Sequence, residues 1–255
     1  MEQIMSKVFN AISKAMMKQR RKMLSRNIFD RYNGTVQLGP YKNMKLGSRS
    51  NISQGPLALK ILGLYEKQVT EKIHQIGKFQ TLINFGAADG YMALGPLFSG
   101  ACNRSICFEM TEKGRESIKI NAKLNQINQK VEVLGKVDDT IIKQLNELKI
   151  NSKNSVVLCD IEGAEFNIFS TDLFEFLKKS TIIIELHDRL IQDGQDLRKS
   201  LISKIPKGLN YEIIADYKSI NYFGLKDLEE LSDNDRALVM SEGRKFFGEW
   251  LVVSP

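Results

Sequence analysis

Residues 80–109 read QTLINFGAADGYMALGPLFSGACNRSICFE. An apolar run, Thr81 to Phe85, enters a turn of small residues, Gly86-Ala87-Ala88-Asp89-Gly90. A helix-compatible stretch follows, and a second apolar run, Ser105 to Phe108, stops at Glu109. The order is strand, turn, helix, strand, carboxylate. A ligand bearing a nucleoside needs that order. Small residues let the backbone come close, and an acid about 20 residues further on accepts hydrogen bonds from a ribose.

Two fingerprints compete for the turn. The dinucleotide pattern GxGxxG would place glycines at 86, 88 and 91, where this chain has Gly86, Ala88 and Tyr91. Its third glycine, which allows close helix packing, is missing. The S-adenosylmethionine pattern, acid-x-Gly-x-Gly-x-Gly, falls on Asn84, Gly86, Ala88 and Gly90. Two glycines match, alanine replaces the third, and asparagine replaces the leading acid. An ordinary strand-to-helix turn would also carry small residues, so the turn alone leaves that reading open.

Outward from this stretch, strands and helices alternate. Apolar runs recur at 81–85, 105–109, 131–134, 155–159, 181–186, 211–215 and 249–253. Helical patterns lie between them at 90–98, 112–126, 139–149, 164–178 and 194–203, with another around 226–242. Near-continuous apolar strands are those of a parallel sheet covered on both faces. The last run follows a helical segment and closes the alternation, which accommodates a seventh strand inserted antiparallel between the fifth and sixth. The expected fold is α/β: a seven-stranded, mostly parallel, doubly wound, Rossmann-like sheet of the class I methyltransferase type. Residues 80–255 form that S-adenosylmethionine-binding domain, and residues 1–79 form a helical and loop extension.

Within the extension, residues 2–25 read as an amphipathic helix. Met5, Val8, Phe9, Ile12 and Met16 recur at steps of three and four, and Lys18-Gln19-Arg20-Arg21-Lys22 makes a basic end. Packing against the body or a second subunit explains such a helix, and so does peripheral contact with a membrane surface. Residues 33–56 hold Gly34, Gly39-Pro40, Gly47 and Gly55-Pro56, which predict loops and a short hairpin. Leu57 to Ile76 predicts a second helix.

Of 255 residues, 42% are hydrophobic and 26% charged, ordinary for a soluble globule. No apolar run approaches the ~20 residues of a membrane span, and no signal peptide is expected. Cys102, Cys107 and Cys159 form no CxxC pair, which suits a reducing cytoplasm and offers no zinc site. The net charge of +7 is uneven: residues 1–50 hold 11 Lys/Arg against 2 Asp/Glu, and the remainder holds 26 against 28. A nearly neutral body weakens a nucleic-acid reading, and no nucleic-acid partner is expected.

Ligands of open α/β sheets bind at the carboxyl ends of the strands. The successive runs end in Gly86–Gly90, in Glu109, in Gly135-Lys136-Val137-Asp138-Asp139, in Asp160-Ile161-Glu162-Gly163-Ala164-Glu165 and in Glu185-Leu186-His187-Asp188. Asn84, Phe85, Gly86, Ala87, Asp89, Gly90, Glu109, Met110 and Asp138 make up the expected cofactor-binding set. Glu109 would accept both ribose hydroxyls, and Asp138 would either pair with the adenine or cap a helix. His187, Asp160 and Glu185 make up the expected catalytic set. The imidazole titrates in the range of a general base. Asp160 or Glu185 would orient it, and all three together would suit a divalent metal. His74, the other histidine, reads as structural or exposed.

Four segments, INFGAADG, CFEMTEKGRESIKINAKLN, LCDIEGAEF and IIIELHD, resemble the FkbM family of S-adenosylmethionine-dependent methyltransferases. Asp-Ile-Glu-Gly-Ala-Glu is the most specific of them. Upstream, ILGLYEKQV resembles the Gly-x-Tyr-Glu segment of some members, and the ending SEGRKFFGEWLVVSP is also similar. The resemblance spans about residues 55–255. It implies the seven-strand fold, S-adenosylmethionine as methyl donor and O-methylation of a hydroxyl on a sugar, glycan or related small-molecule acceptor. Asn84 and Ala88 depart from its glycine-rich pattern. RNA methylation and a non-catalytic protein that keeps the fold are the alternatives. A homo-oligomer is compatible with the sequence.

Overall fold

In the computed structural model, which describes residues 2–47, 56–215 and 225–255, each of the seven apolar runs is a strand. They are β1 (Thr81–Phe85), β2 (Arg104–Phe108), β3 (Val131–Leu134), β4 (Ser155–Cys159), β5 (Thr181–Glu185), β6 (Asn210–Ala215) and β7 (Glu249–Ser254). They form one sheet in the order β3-β2-β1-β4-β5-β7-β6. The pairs β1–β2, β2–β3, β1–β4 and β4–β5 are parallel, and β7 runs antiparallel between β5 and β6. That is the strand order expected of the class I methyltransferase fold.

Alternate residues along the strands supply two apolar layers, as a period of two requires. Leu82, Cys107, Val156, Leu158, Ile183, Trp250 and Val252 face one layer. Ile83, Phe85, Ile106, Phe108, Val157, Cys159, Ile184, Leu251 and Val253 face the other. Over the first layer lie α1 (Glu2–Arg31), α2 (Leu57–Leu62), α3 (Lys67–Gln75), α4 (Tyr91–Phe98) and α5 (Glu112–Leu124). Over the second lie α6 (Ile141–Glu147), α7 (Glu165–Ile168), α8 (Thr171–Leu177) and α9 (Gly194–Ser203). Two short helices, α10 (Lys226–Glu229) and α11 (Asp233–Met240), complete the first layer. The segment before β1 shares this layer with the sheet: Leu24, Ile28, Phe29, Met44, Leu59 and Ile73 are buried with Leu82 and Leu158.

Three expected helices are interrupted, and the one around 226–242 divides into α10 and α11. The stretch Leu57 to Ile76 divides into α2 and α3 because Gly63 takes the left-handed conformation, a common helix stop. Glu66, also left-handed, precedes the first turn of α3. The stretch 164–178 divides into α7 and α8 because Phe169 leaves helical geometry and Ser170 caps a new helix through the Leu173 amide at 3.1 Å. The expected hairpin in 33–56 is represented by one antiparallel bridge, Thr35 to Lys45; residues 48–55 lie outside the described part. Among the described residues no helix is long and apolar enough to cross a membrane.

Candidate active site

Because β2, β1, β4 and β5 are adjacent and parallel, their carboxyl ends lie side by side on one edge. Glu109, the 86–90 turn, Asp160 and Glu185 therefore stand in a row. The antiparallel β7 brings its entry end to the same edge, and with it the segment before Glu249.

The turn is built by close approach. Gly86 has a positive φ, and a Cβ there would overlap the Asp160 carbonyl oxygen. Ala88 also takes a positive φ, of 49°, where the fingerprint has glycine. Its amide donates to Glu109 Oε2 at 2.9 Å, so the acid that ends β2 is joined to the turn beside it. Glu109 Oε1 accepts from the Thr111 amide at 2.8 Å and from its hydroxyl at 2.6 Å. Three acceptor positions are thus engaged, and Oε2 keeps one for a ligand. Asp89 points the other way. Its carboxylate meets Lys60 Nζ of α2 at 2.6 Å and the Tyr91 amide at 3.1 Å, and its carbonyl accepts from Asn121 at 2.8 Å. Asp89 thus braces the turn. Met110 is exposed. Asp138 Oδ1 accepts from the Thr140 amide and hydroxyl at the start of α6, and those two bonds hold its pKa below the ordinary carboxylate value.

A small cavity opens beneath the turn, lined by Asn84, Gly86, Ala87, Ala88, Glu66 and Asp160 among others. Asn84 is buried, and its amide nitrogen lies 3.3 Å from the Leu158 carbonyl oxygen. Where the fingerprint has an acid this chain has Asn84, and the carboxylates that line the cavity are those of Glu66, Asp89 and Asp160. Glu66 accepts from the Trp250 indole at 3.2 Å and pairs with Arg244. Sequence reading missed Glu66 as a site residue, although the Gly-x-Tyr-Glu segment contains it.

A second cleft, of about 220 Å³, lies on the β5 side. Its polar floor is Asp160, Glu162, Glu185, His187 and Arg244, and Tyr65, Leu190, Phe246 and Phe247 give it apolar walls. His187 Nδ1 lies 3.1 Å from Glu165 Oε1, and the His187 amide donates to the same oxygen at 3.0 Å. A carboxylate only accepts, so Nδ1 carries the proton and Nε2 offers its lone pair to the cleft. Nε2 lies 3.6 Å from Asp160, 3.6 Å from Glu162 and 3.9 Å from Glu185, all beyond good hydrogen-bond length. The residue that orients His187 is therefore Glu165, not Asp160 or Glu185. Glu165 is fully buried, and its second oxygen accepts from the Gly163 amide at 2.8 Å. Its signal was present in the Asp-Ile-Glu-Gly-Ala-Glu stretch.

The electrostatics follow from this packing. Burial lowers the His187 pKa, but the hydrogen bond and charge of Glu165, with Asp160 and Glu162 behind it, carry the net shift upward. Burial pushes Glu185 up to about 7, against the pull of Arg244. Burial and then Glu185 push Asp160 well above the usual carboxylate range. Both acids are therefore protonated more readily than ordinary carboxylates. Arg244 pairs with Glu66, Glu185 and Glu242, joining both cavities from above. Its place follows from the antiparallel entry into β7, which no local motif announces. One ligand atom each from Asp160, Glu185 and His187 lies within 4.8 Å of the others, a donor set that suits a divalent cation. His74 is exposed on α3.

No family model matches the sequence, and no curated protein matches it. Several solved structures are similar to this chain at low identity. An O-methyltransferase from Bacillus cereus in complex with SAH is 14% identical, with 91% of this chain and 90% of that chain covered and a TM-score of 0.48. The O-methyltransferase TomG from Streptomyces achromogenes, solved with SAM, is 11% identical over 82% and 91%, with a TM-score of 0.49. A putative tRNA (m1A22) methyltransferase from Streptococcus pneumoniae, also with SAM, is 16% identical over 74% and 72%, with a TM-score of 0.46.

Proposed function

We propose that the protein is an S-adenosylmethionine-dependent O-methyltransferase of the FkbM type, acting on a hydroxyl of a sugar, glycan or related metabolite. One observation carries the reading: the small cavity under the turn and the 220 Å³ cleft share Asp160 and Tyr65. A donor held in the first would meet an acceptor held in the second at that point.

The residues around the first cavity fit the donor. Ala87 and Ala88 present only methyl groups to it, Glu66 and Asn84 suit an ammonium group, and Glu109, bonded to the Ala88 amide just outside the cavity lining, keeps an acceptor for a ribose hydroxyl. When bound, the donor supplies an electrophilic methyl carbon on a positively charged sulfur. The chain's own task is alignment and proton removal. Asp160 and Glu185 receive hydrogen bonds from the acceptor's hydroxyls. Tyr65, Phe246 and Phe247 cover the apolar face of its ring and exclude water. His187 Nε2 would take the hydroxyl proton of the acceptor, while Glu165 holds Nδ1–H and steadies the resulting imidazolium. Any divalent cation would sit among Asp160, Glu185 and His187, where Arg244 already meets Glu185. The likeness of CDIEGAEF and IIIELHD to FkbM segments supports the assignment.

Calorimetry with S-adenosylhomocysteine tests it. Binding that Glu109→Ala weakens about tenfold, the worth of one hydrogen bond to a charged acceptor, is expected. With a hydroxylated acceptor, His187→Ala should cut kcat by ~10²-fold or more and leave that affinity unchanged. No binding by the wild type would sink the proposal.

A further inference from the structure

We propose that the N-terminal half of α1 is a docking surface for an anionic lipid membrane, lying in the plane of the headgroups. This does not depend on the reading of the cleft.

The helix has two unequal halves. Its C-terminal half is fastened to the body: Leu24, Ile28 and Phe29 are buried, Arg20 pairs with Asp235 at 2.6 Å, and Arg31 pairs with Asp227. Its N-terminal half extends away. Met5, Val8, Phe9, Ile12 and Met16 are each more than half exposed. They recur at steps of three and four, so they form one stripe along about three turns. At about 100° per residue, Leu24, Ile28 and Phe29 lie roughly a quarter turn or more off that stripe. The stripe is thus not an extension of the face that packs on the body. Lys7, Lys14 and Lys18 are exposed on the opposite side.

Charge selects the occupant. Residues 2–22 hold Lys7, Lys14, Lys18, Arg20, Arg21 and Lys22 against the single acid Glu2. A second copy pairing along the stripe would leave Lys7, Lys14 and Lys18 on the outer faces, unanswered by any acid of the partner's residues 3–22. The apolar repeat is also broken at Gln19-Arg20 and reaches only Met23, short of the three to four heptads that a helical pair needs. An anionic lipid surface removes both difficulties. It takes the five apolar side chains below the headgroups, and it attracts the cations within a Debye length. Nucleic acid would answer the charge but offers nothing to the apolar stripe.

Sedimentation of the full chain with vesicles tests this. Phosphatidylcholine–phosphatidylglycerol vesicles should carry the protein down, and pure phosphatidylcholine vesicles should not. Raising salt should weaken the association. The double variant Phe9→Glu/Ile12→Glu should partition at least about tenfold less, from the lost burial of two apolar side chains. Lys7→Glu/Lys14→Glu/Lys18→Glu should lose the preference for anionic lipid. Both variants should keep the wild-type Tm, since these side chains touch solvent. Failure to sediment with anionic vesicles would overturn the proposal. So would a wild-type dimer that the Phe9/Ile12 variant converts to monomer, or RNA binding that depends on Phe9 and Ile12.

Discussion

Glu165→Gln isolates the group that holds His187. The glutamate accepts three hydrogen bonds in a site with no solvent: from the Gly163 amide at 2.8 Å, the His187 amide at 3.0 Å and His187 Nδ1 at 3.1 Å. Glutamine has the same shape but one acceptor oxygen. If that oxygen stays on His187, the new amide nitrogen faces the Gly163 N–H, donor against donor. If it turns to Gly163, both His187 donors lose their partner. One buried donor at least goes unsatisfied, a cost of ~1–3 kcal/mol in unfolding free energy. Kinetics read the second effect. The carboxylate raises the His187 pKa, so wild-type turnover requires loss of that proton and climbs with pH through the raised value. Removing the negative charge destabilises the imidazolium, so the ascending limb should move to lower pH. The plateau should fall by ~10- to 100-fold, because a weaker and less fixed base captures less of what general-base catalysis contributes. A pH series of kcat with labelled methyl donor, beside urea denaturation and S-adenosylhomocysteine calorimetry, separates these effects. Unchanged plateau and midpoint in a stably folded variant would refute the role of Glu165.

Arg244→Ala leaves Glu66 and Glu185 buried without their cation, and urea denaturation at neutral pH should show a loss of ~3–5 kcal/mol. Glu185, already raised to about 7, is neutralised on acidification, so that loss should shrink as pH falls below neutrality. Lys60→Met should cost a similar ~3–5 kcal/mol by stranding Asp89, both partners being buried, and adding Asp89→Asn should recover part of it. Ala88→Gly relieves a left-handed alanine, worth ~1–2 kcal/mol, against ~0.5–1 kcal/mol of added chain entropy. A small rise in Tm with unchanged cofactor affinity is expected.

The sheet was legible because its signal is local. Apolar runs such as Thr81–Phe85 and Ser155–Cys159 are buried throughout, and burial on both faces is what a continuous apolar run means. The turn at Gly86 and the acid at Glu109 were legible for the same reason: each follows directly on a strand. Helix ends were less so. The apolar period of Leu57 to Ile76 continues across Gly63 because both helices pack on the same layer, so periodicity alone joins what a left-handed glycine divides.

By itself, the sequence determined which segments become strands, which small residues open the turn and which acids end the strands, since these depend on neighbours within a few positions. The tertiary structure alone decided partnership. His187 leans on Glu165, 22 positions away, rather than on Glu185 beside it in sequence, because parallel β4 and β5 set those loops side by side. Arg244 reaches Glu66 across 178 positions because β7 enters the sheet antiparallel. Hydrogen bonds and ion pairs act over a few ångströms, and only folding fixes which residues of a long chain fall within that reach.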